Sequence, residues 1–110
     1  MNLTKKQLDS TRKMIKQMTE MIEKQSNCCF IMSNPTRIKV LVTINQHRQI
    51  CVSEIAEIVQ ISVSAVSHQL KKLESFGSVV KNKKGQEVLY SLNKKNHVVH
   101  CLYNFQKQRI

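Results

Sequence analysis

The chain of 110 residues has two glycines, one proline and no tryptophan. The two glycines, Gly77 and Gly85, lack the spacing of a P-loop, and neither paired carboxylates in a motif nor a Cys-His-Asp order is present, so an enzyme is not expected. No apolar run reaches the ~18 residues of a membrane span. Met1-Asn-Leu-Thr-Lys-Lys-Gln7 lacks the apolar centre of a signal peptide, which points to the cytoplasm. The four cysteines, Cys28, Cys29, Cys51 and Cys101, contain no CxxC pair, so a zinc ribbon is excluded. Internal repeats, low-complexity tracts and linkers are missing too, as expected of one compact unit over 1–110. Acidic residues are scarce, 7 against 18 lysines and arginines.

What remains is a small basic chain with a formal charge of +11 and 41% hydrophobic residues. That composition suits a globular fold with one modest core. The charge excess favours a polyanionic partner, nucleic acid or an anionic membrane surface. Residues 78–96 carry Lys81, Lys83, Lys84, Lys94 and Lys95 against the single acid Glu87.

The order of elements follows from caps and periodicity. Thr4 and Gln7 form a capping box, and no Gly or Pro intervenes before Pro35, so a helix is predicted over 4–32, about 40 Å long at ~1.5 Å per residue. Positions 8, 11, 15, 18, 22, 25, 29 and 32, widened by Met14 and Met21, make a mostly apolar stripe too long for so small a body to cover. A second copy would cover the rest. Asn34-Pro35 starts a second helix with Ile38, Leu41, Val42 and Ile44 inward. Ile50-Cys-Val52 reads as a short strand. Ser53 is expected to cap a third helix, with Ile55, Ala56, Ile58 and Val59 inward. Gln60-Ile61 turns the chain, and Ser62 caps a fourth helix that presents Val66, Leu70 and Leu73 to the core. Gly77 ends that helix. Val79–Asn82 and Glu87–Leu92 read as strands joined through Gly85. A last helix over 96–110 carries Val98, Val99, Leu102 and Phe105. The fold class is therefore mainly α with a small β-hairpin.

Residues 53–75 carry the functional signal, a helix-turn-helix followed by a hairpin over 78–92. Ser62, Ser64, Ala65 and Ser67 are small enough to let a helix approach base edges in the major groove. His68 and Gln69 are longer readers, and Lys71 and Lys72 suit phosphate. Val63 either touches a thymine methyl or faces the core, and the core is the preferred reading. The hairpin tip offers Lys81, Lys83, Lys84 and Gln86 as a second contact with backbone or minor groove.

From about residue 28 onward the chain resembles the ArsR/SmtB family of winged-helix repressors. The resemblance rests on Ser33-Asn-Pro-Thr-Arg-Ile-Lys-Val-Leu41, Ile50-Cys-Val-Ser-Glu-Ile-Ala56, Ser62-Val-Ser-Ala-Val-Ser-His-Gln-Leu-Lys-Lys-Leu73 and Gly85-Gln-Glu-Val-Leu-Tyr-Ser-Leu92, in family order and spacing. It implies a winged helix-turn-helix, a homodimer joined through its first and last helices, and a pseudo-palindromic double-stranded DNA operator blocked by the bound protein. Gln69 stands where the family usually has His, which implies an operator preference of its own.

The resemblance also raises a metal or thiol-reactive effector. Soft-metal sensors often carry Cys-Val-Cys where this chain has Cys51-Val-Ser53, so a soft metal or metalloid site would need Cys28, Cys29 and Cys51, from one subunit or two. The alternative is that these thiols are small buried hydrophobes. His97, His100 and Cys101 share a helix face and form a candidate zinc set, although Lys95 replaces the family's usual aspartate. Redox-sensing relatives pair a cysteine of the second helix with one of the last; Cys101 fits the latter, but Val42 occupies the expected partner position. The remaining readings are a repressor with no small effector and a winged-helix module that binds protein. No membrane and no small-molecule substrate are expected as partners.

Overall fold

The computed structural model of the chain describes residues 2–108, apart from the side chain of Val98. Arg109 and Ile110, predicted to end the last helix, lie outside the described residues, as does the Val98 side chain predicted for its apolar face.

Helix α1 spans Lys5–Met32. Its start is set by a reciprocal cap: the Gln7 N–H donates to Thr4 Oγ1 at 3.1 Å, and the Thr4 N–H donates to Gln7 Oε1 at 2.9 Å. Only Cys28 and Ile31 of this helix are buried. Met14, Ile15, Met18, Met21 and Ile22 are all exposed, Met21 at 66%. The stripe that the periodicity predicts is there, and within one chain most of it faces water. The helix accounts for much of the long axis of a molecule measuring 63 × 34 × 23 Å.

Helix α2 (Pro35–Gln46) begins on Asn34, whose side chain accepts from the Arg37 N–H, with Pro35 at the first turn where its missing N–H costs nothing. Leu41 and Ile44 point inward as expected, joined by Val40 at 0% exposure, while Ile38 and Val42 are only half-buried. Strand β1 (Ile50–Cys51) leads into α3 (Val52–Val59). Cys51, rather than the expected Ser53, is the N-cap residue. The reason is Glu54, whose carboxylate accepts the Cys51 N–H at 3.1 Å and pulls the helix start two residues upstream. Ile58 is exposed rather than inward, because α3 is short and buries only Ile55 and Ala56.

Gln60 makes the turn to α4 (Val63–Ser75) in a left-handed conformation, φ 64°. It is the one non-glycine residue with positive φ among those described. That conformation costs an L-residue about 1–2 kcal/mol. The Gln60 and Ile61 N–H groups both donate back to the Ala56 carbonyl, at 2.8 and 3.1 Å. Val66, Leu70 and Leu73 of α4 are at most 1% exposed and join Leu41, Ile44 and Ile55 in the core. Burying each Leu or Ile contributes about 1.5–3 kcal/mol.

The C-terminus of α4 is closed by a Schellman turn. Gly77, φ +73°, donates to the Glu74 carbonyl at 2.9 Å, and Ser78 to the Leu73 carbonyl at 3.0 Å. The Ser78 hydroxyl adds a second bond to Leu73, while the Asn93 and Asn96 side chains take the Gly77 and Phe76 carbonyls, both at 2.9 Å.

Strands β2 (Val79–Lys84) and β3 (Glu87–Leu92) form the hairpin, with β1 on the far side of β3, so the antiparallel order is β1-β3-β2. β2 runs two residues further than predicted, because Lys83 and Lys84 pair with Val88 and Glu87, leaving a two-residue turn at Gly85-Gln86. Helix α5 (His97–Gln106) packs back on α1. No helix among the described residues is long and apolar enough to cross a membrane.

Two outcomes test this account. A Cβ at Gly77 would sit 3.0 Å from Asn96 Nδ2 in a left-handed backbone, whereas one at Gly85 meets open space. Gly77→Ala is therefore expected to cost about 1–3 kcal/mol in urea unfolding, and more than Gly85→Ala. The Cys51 N–H bond holds the Glu54 carboxyl below its ordinary value of 4.5. A lowered folded pKa gives stability that is present above the ordinary value and lost as pH falls through the folded one. The wild type should be more stable than Glu54→Gln at pH 6, and the gap between their urea midpoints should close towards pH 3.

Candidate nucleic-acid interface

Helix α4 divides by its periodicity. Val66, Leu70 and Leu73 face the core, while Ser64, Ser67, His68 and Lys71 recur at three- and four-residue spacing on the exposed side. Ala65 and Lys72 flank that face, half-buried. The exposed face is short-chained at its start and basic towards its end. Ser62 is exposed but already occupied, since its Oγ accepts the Ala65 N–H at 3.0 Å as the helix cap. Val63, expected in the core, is 51% exposed. It lies in the first turn, where the backbone has not yet reached the packed layer, and so presents its methyls on the outer surface.

Gln69 is not placed as a free reader. Its Oε1 accepts from Arg37 Nε at 3.1 Å. Arg37 is itself buried, donates from NH1 to the Phe30 carbonyl at 2.6 Å, and lies over the Phe30 ring with 4.2 Å to the centroid. The Phe30 ring in turn packs on Phe76 at 5.2 Å between centroids. Arg37 was missed by sequence reasoning. The available signal was a charged residue inside the apolar pattern of a short helix.

The wing extends beyond the core. Only Val79 of β2 is buried, and Lys81, Lys83, Lys84 and Gln86 are all exposed. Lys81 and Lys83 lie opposite Tyr90 and Val88 and so share one face of the sheet. Lys84 points to the other side, and its Nζ donates to Gln49 Oε1 at 3.0 Å, bracing the hairpin against the segment before β1. α4 packs directly on β2, so the helix face and the basic hairpin belong to one framework.

The structure breaks up both candidate metal sets. Cys28 is joined by a disulfide to Cys101, which takes one member from each. Cys29 is exposed, with its Sγ 3.6 Å from Gln25 Nε2, and Cys51 is a half-buried free thiol 3.2 Å from the Ser53 hydroxyl. The view of all three as buried hydrophobic thiols therefore fails: Cys28 alone is buried, and it is half of a disulfide. His97 has a buried Nε2 with no hydrogen-bond partner among the described residues, and His100 is exposed, edge-on to Tyr103. Among the described residues no three His, Cys, Asp or Glu side chains are close enough to hold a metal, so these residues do not fit a zinc or soft-metal site within one chain. The partner of Cys101 is also not in the second helix, where the redox relatives have it, but in the first.

Residues 34–80 match the sequence profile described as "Bacterial regulatory protein, arsR family". Over 62 residues the chain is 32% identical to the cadmium resistance transcriptional regulatory protein CadC homolog of Staphylococcus aureus, covering 56% of this chain and 51% of that one. Over 68 residues it is 35% identical to the transcriptional repressor SmtB homolog of a Synechocystis species, covering 62% and 50%. The chain thus spans about half the length of the curated relatives it matches. Among solved structures, the homodimeric winged helix-turn-helix DNA-binding domain from Mycobacterium bovis superposes with a TM-score of 0.68 at 19% identity, over 81% of each chain. At that identity the likeness concerns the fold alone.

The roles of neighbouring α4 side chains separate in one measurement. Gln69→Ala strands a buried guanidinium and should cost about 1–3 kcal/mol in denaturant unfolding. Ser67→Ala and His68→Ala, on the outer face, should stay within about 0.5 kcal/mol of the parent.

Proposed function

We propose that this chain, whose residues 34–80 match the sequence profile of the arsR family of bacterial regulatory proteins, is a member of that family and a sequence-specific DNA-binding repressor that acts as a homodimer. The observation that carries the reading is the outer face of α4, small at its start and basic at its end, standing against a basic wing. In this reading Ser64, Ser67 and His68 meet base edges in the major groove, and Val63 offers methyls for a thymine. Ser62 and Ala65 let the helix approach closely. Lys71 and Lys72 take phosphates beside the groove, and Lys81, Lys83, Lys84 and Gln86 hold the flanking backbone. Gln69 acts from behind, through Arg37, by fixing how α4 sits.

The uncovered stripe on α1 supports pairing with a second copy through the first and last helices. A twofold dimer presents two recognition helices to half-sites about one helical turn apart, so the operator would be pseudo-palindromic. The protein would work as a regulator in the cytoplasm rather than as an enzyme, blocking transcription by occupying its site. Each chain contributes one winged helix-turn-helix unit, with α1 as its pairing arm.

Selection from a random pool of 30-base-pair duplexes tests the proposal. Enriched sequences should carry an inverted repeat with half-site centres about 10 base pairs apart or a multiple of that spacing. On the selected duplex, Lys71→Ala and Lys83→Ala should each weaken binding and lower the slope of log affinity against log salt by about 1. Unchanged affinity and slope in both variants would sink the reading.

A further inference from the structure

The interface described above uses no cysteine, yet two of the four are joined. Cys28, near the end of α1, is bonded to Cys101 of α5 across 73 residues of sequence, with Cα atoms 6.2 Å apart. Cys28 is buried and Cys101 half-buried, but an open groove lined by both, with Cys29, Met32 and Phe105, brings solvent to the pair. Cys29 stands beside it as an exposed free thiol. A disulfide at the floor of an open groove is within reach of a small thiol for exchange.

The position of the pair gives it a reach beyond α1 and α5. Two residues after Cys28, the Phe30 carbonyl receives Arg37 NH1 and the Phe30 ring lies under the same guanidinium. Arg37 Nε holds Gln69 of the recognition helix. The segment that the bond pins to α5 is therefore the segment on which the seating of α4 depends.

We propose that Cys28 and Cys101 are a reversible dithiol–disulfide site, oxidised by a hydroperoxide and reduced by a small thiol, whose state sets the DNA affinity of α4. The first step places a thiolate on a peroxide oxygen: the O–O bond breaks, and a sulfenic acid forms with release of water or an alcohol. The second thiol attacks the sulfenic sulfur, the S–S bond forms and water leaves. Two electrons pass from the sulfurs to the peroxide. Reduction returns two protein thiols at the expense of two small thiols, which leave as one small disulfide.

The second half of the proposal rests on the DNA-binding reading, and the test separates the two. The full chain is purified under reductant, treated with one equivalent of hydrogen peroxide, and followed by thiol titration, peptide mass mapping and affinity for the selected duplex. Accessible thiols per denatured chain should fall from four to two, with Cys28 and Cys101 in one linked peptide pair, and dithiothreitol should restore four. The oxidised and reduced forms should differ at least about fivefold in Kd, the low end of typical coupling between sites. Cys101→Ser should abolish both changes, and Cys28→Ser serves where that variant does not fold. Four persisting thiols, or a link through Cys29 or Cys51, would overturn the site. Equal Kd values in the two states would overturn the coupling. If the pair cycles but neither state binds DNA, the coupling and the DNA-binding reading fall together while the thiol site stands.

Discussion

A buried guanidinium cannot be left half-satisfied, and the seating of α4 follows from that constraint. Arg37 is 6% exposed. Its charge is met by a backbone carbonyl at the end of α1, a side-chain oxygen on α4, and the face of an aromatic ring. Those partners come from helices on either side of its own, so α1, α2 and α4 can meet only in an arrangement that serves all of them. The Phe30–Phe76 contact carries the same arrangement to the far end of α4. A surface ion pair would bend to suit its surroundings. The buried Arg37 dictates them through neutral partners, because stranding its charge is costly.

The ends of α4 are fixed as firmly as its middle. Ser62 closes the first turn, and Ser78, Asn93 and Asn96 close the last through three carbonyls. The asparagines come from the segment between β3 and α5, so the chain returns from the wing to lock the helix that precedes it. A helix that presents short side chains depends on backbone placement more than one with long, adaptable readers. The density of hydrogen bonds behind α4 matches that need.

The order of elements was legible because caps and periodicity are local. Thr4, Asn34, Ser62 and Gly77 act on their immediate neighbours, and all four stand where the sequence places them. Ser53 did not, because a carboxylate three residues beyond Cys51 competes for the helix start and its reach depends on the entering strand. The inner face of α4 was readable from spacing, but the engagement of Gln69 was not. That depends on an arginine 32 positions away, and sequence carries no direct record of such contacts. The pairing of Cys28 with Cys101, 73 residues apart, was hidden for the same reason. Val63 was misjudged because an apolar residue in the first turn of a helix can lie ahead of the layer it would pack on.

The left-handed Gln60 has a bearing on how such a molecule could be tuned. With the Gln60 and Ile61 N–H groups both returned to one carbonyl of α3, the turn has no slack, and its backbone already sits in a costly conformation. The angle between α3 and α4 is therefore not an adjustable joint. A change in how α4 is seated would carry α3 with it against α1 and α5. Substitutions that shift α4 should thus lie along the outer seams of the pair and spare the corner itself.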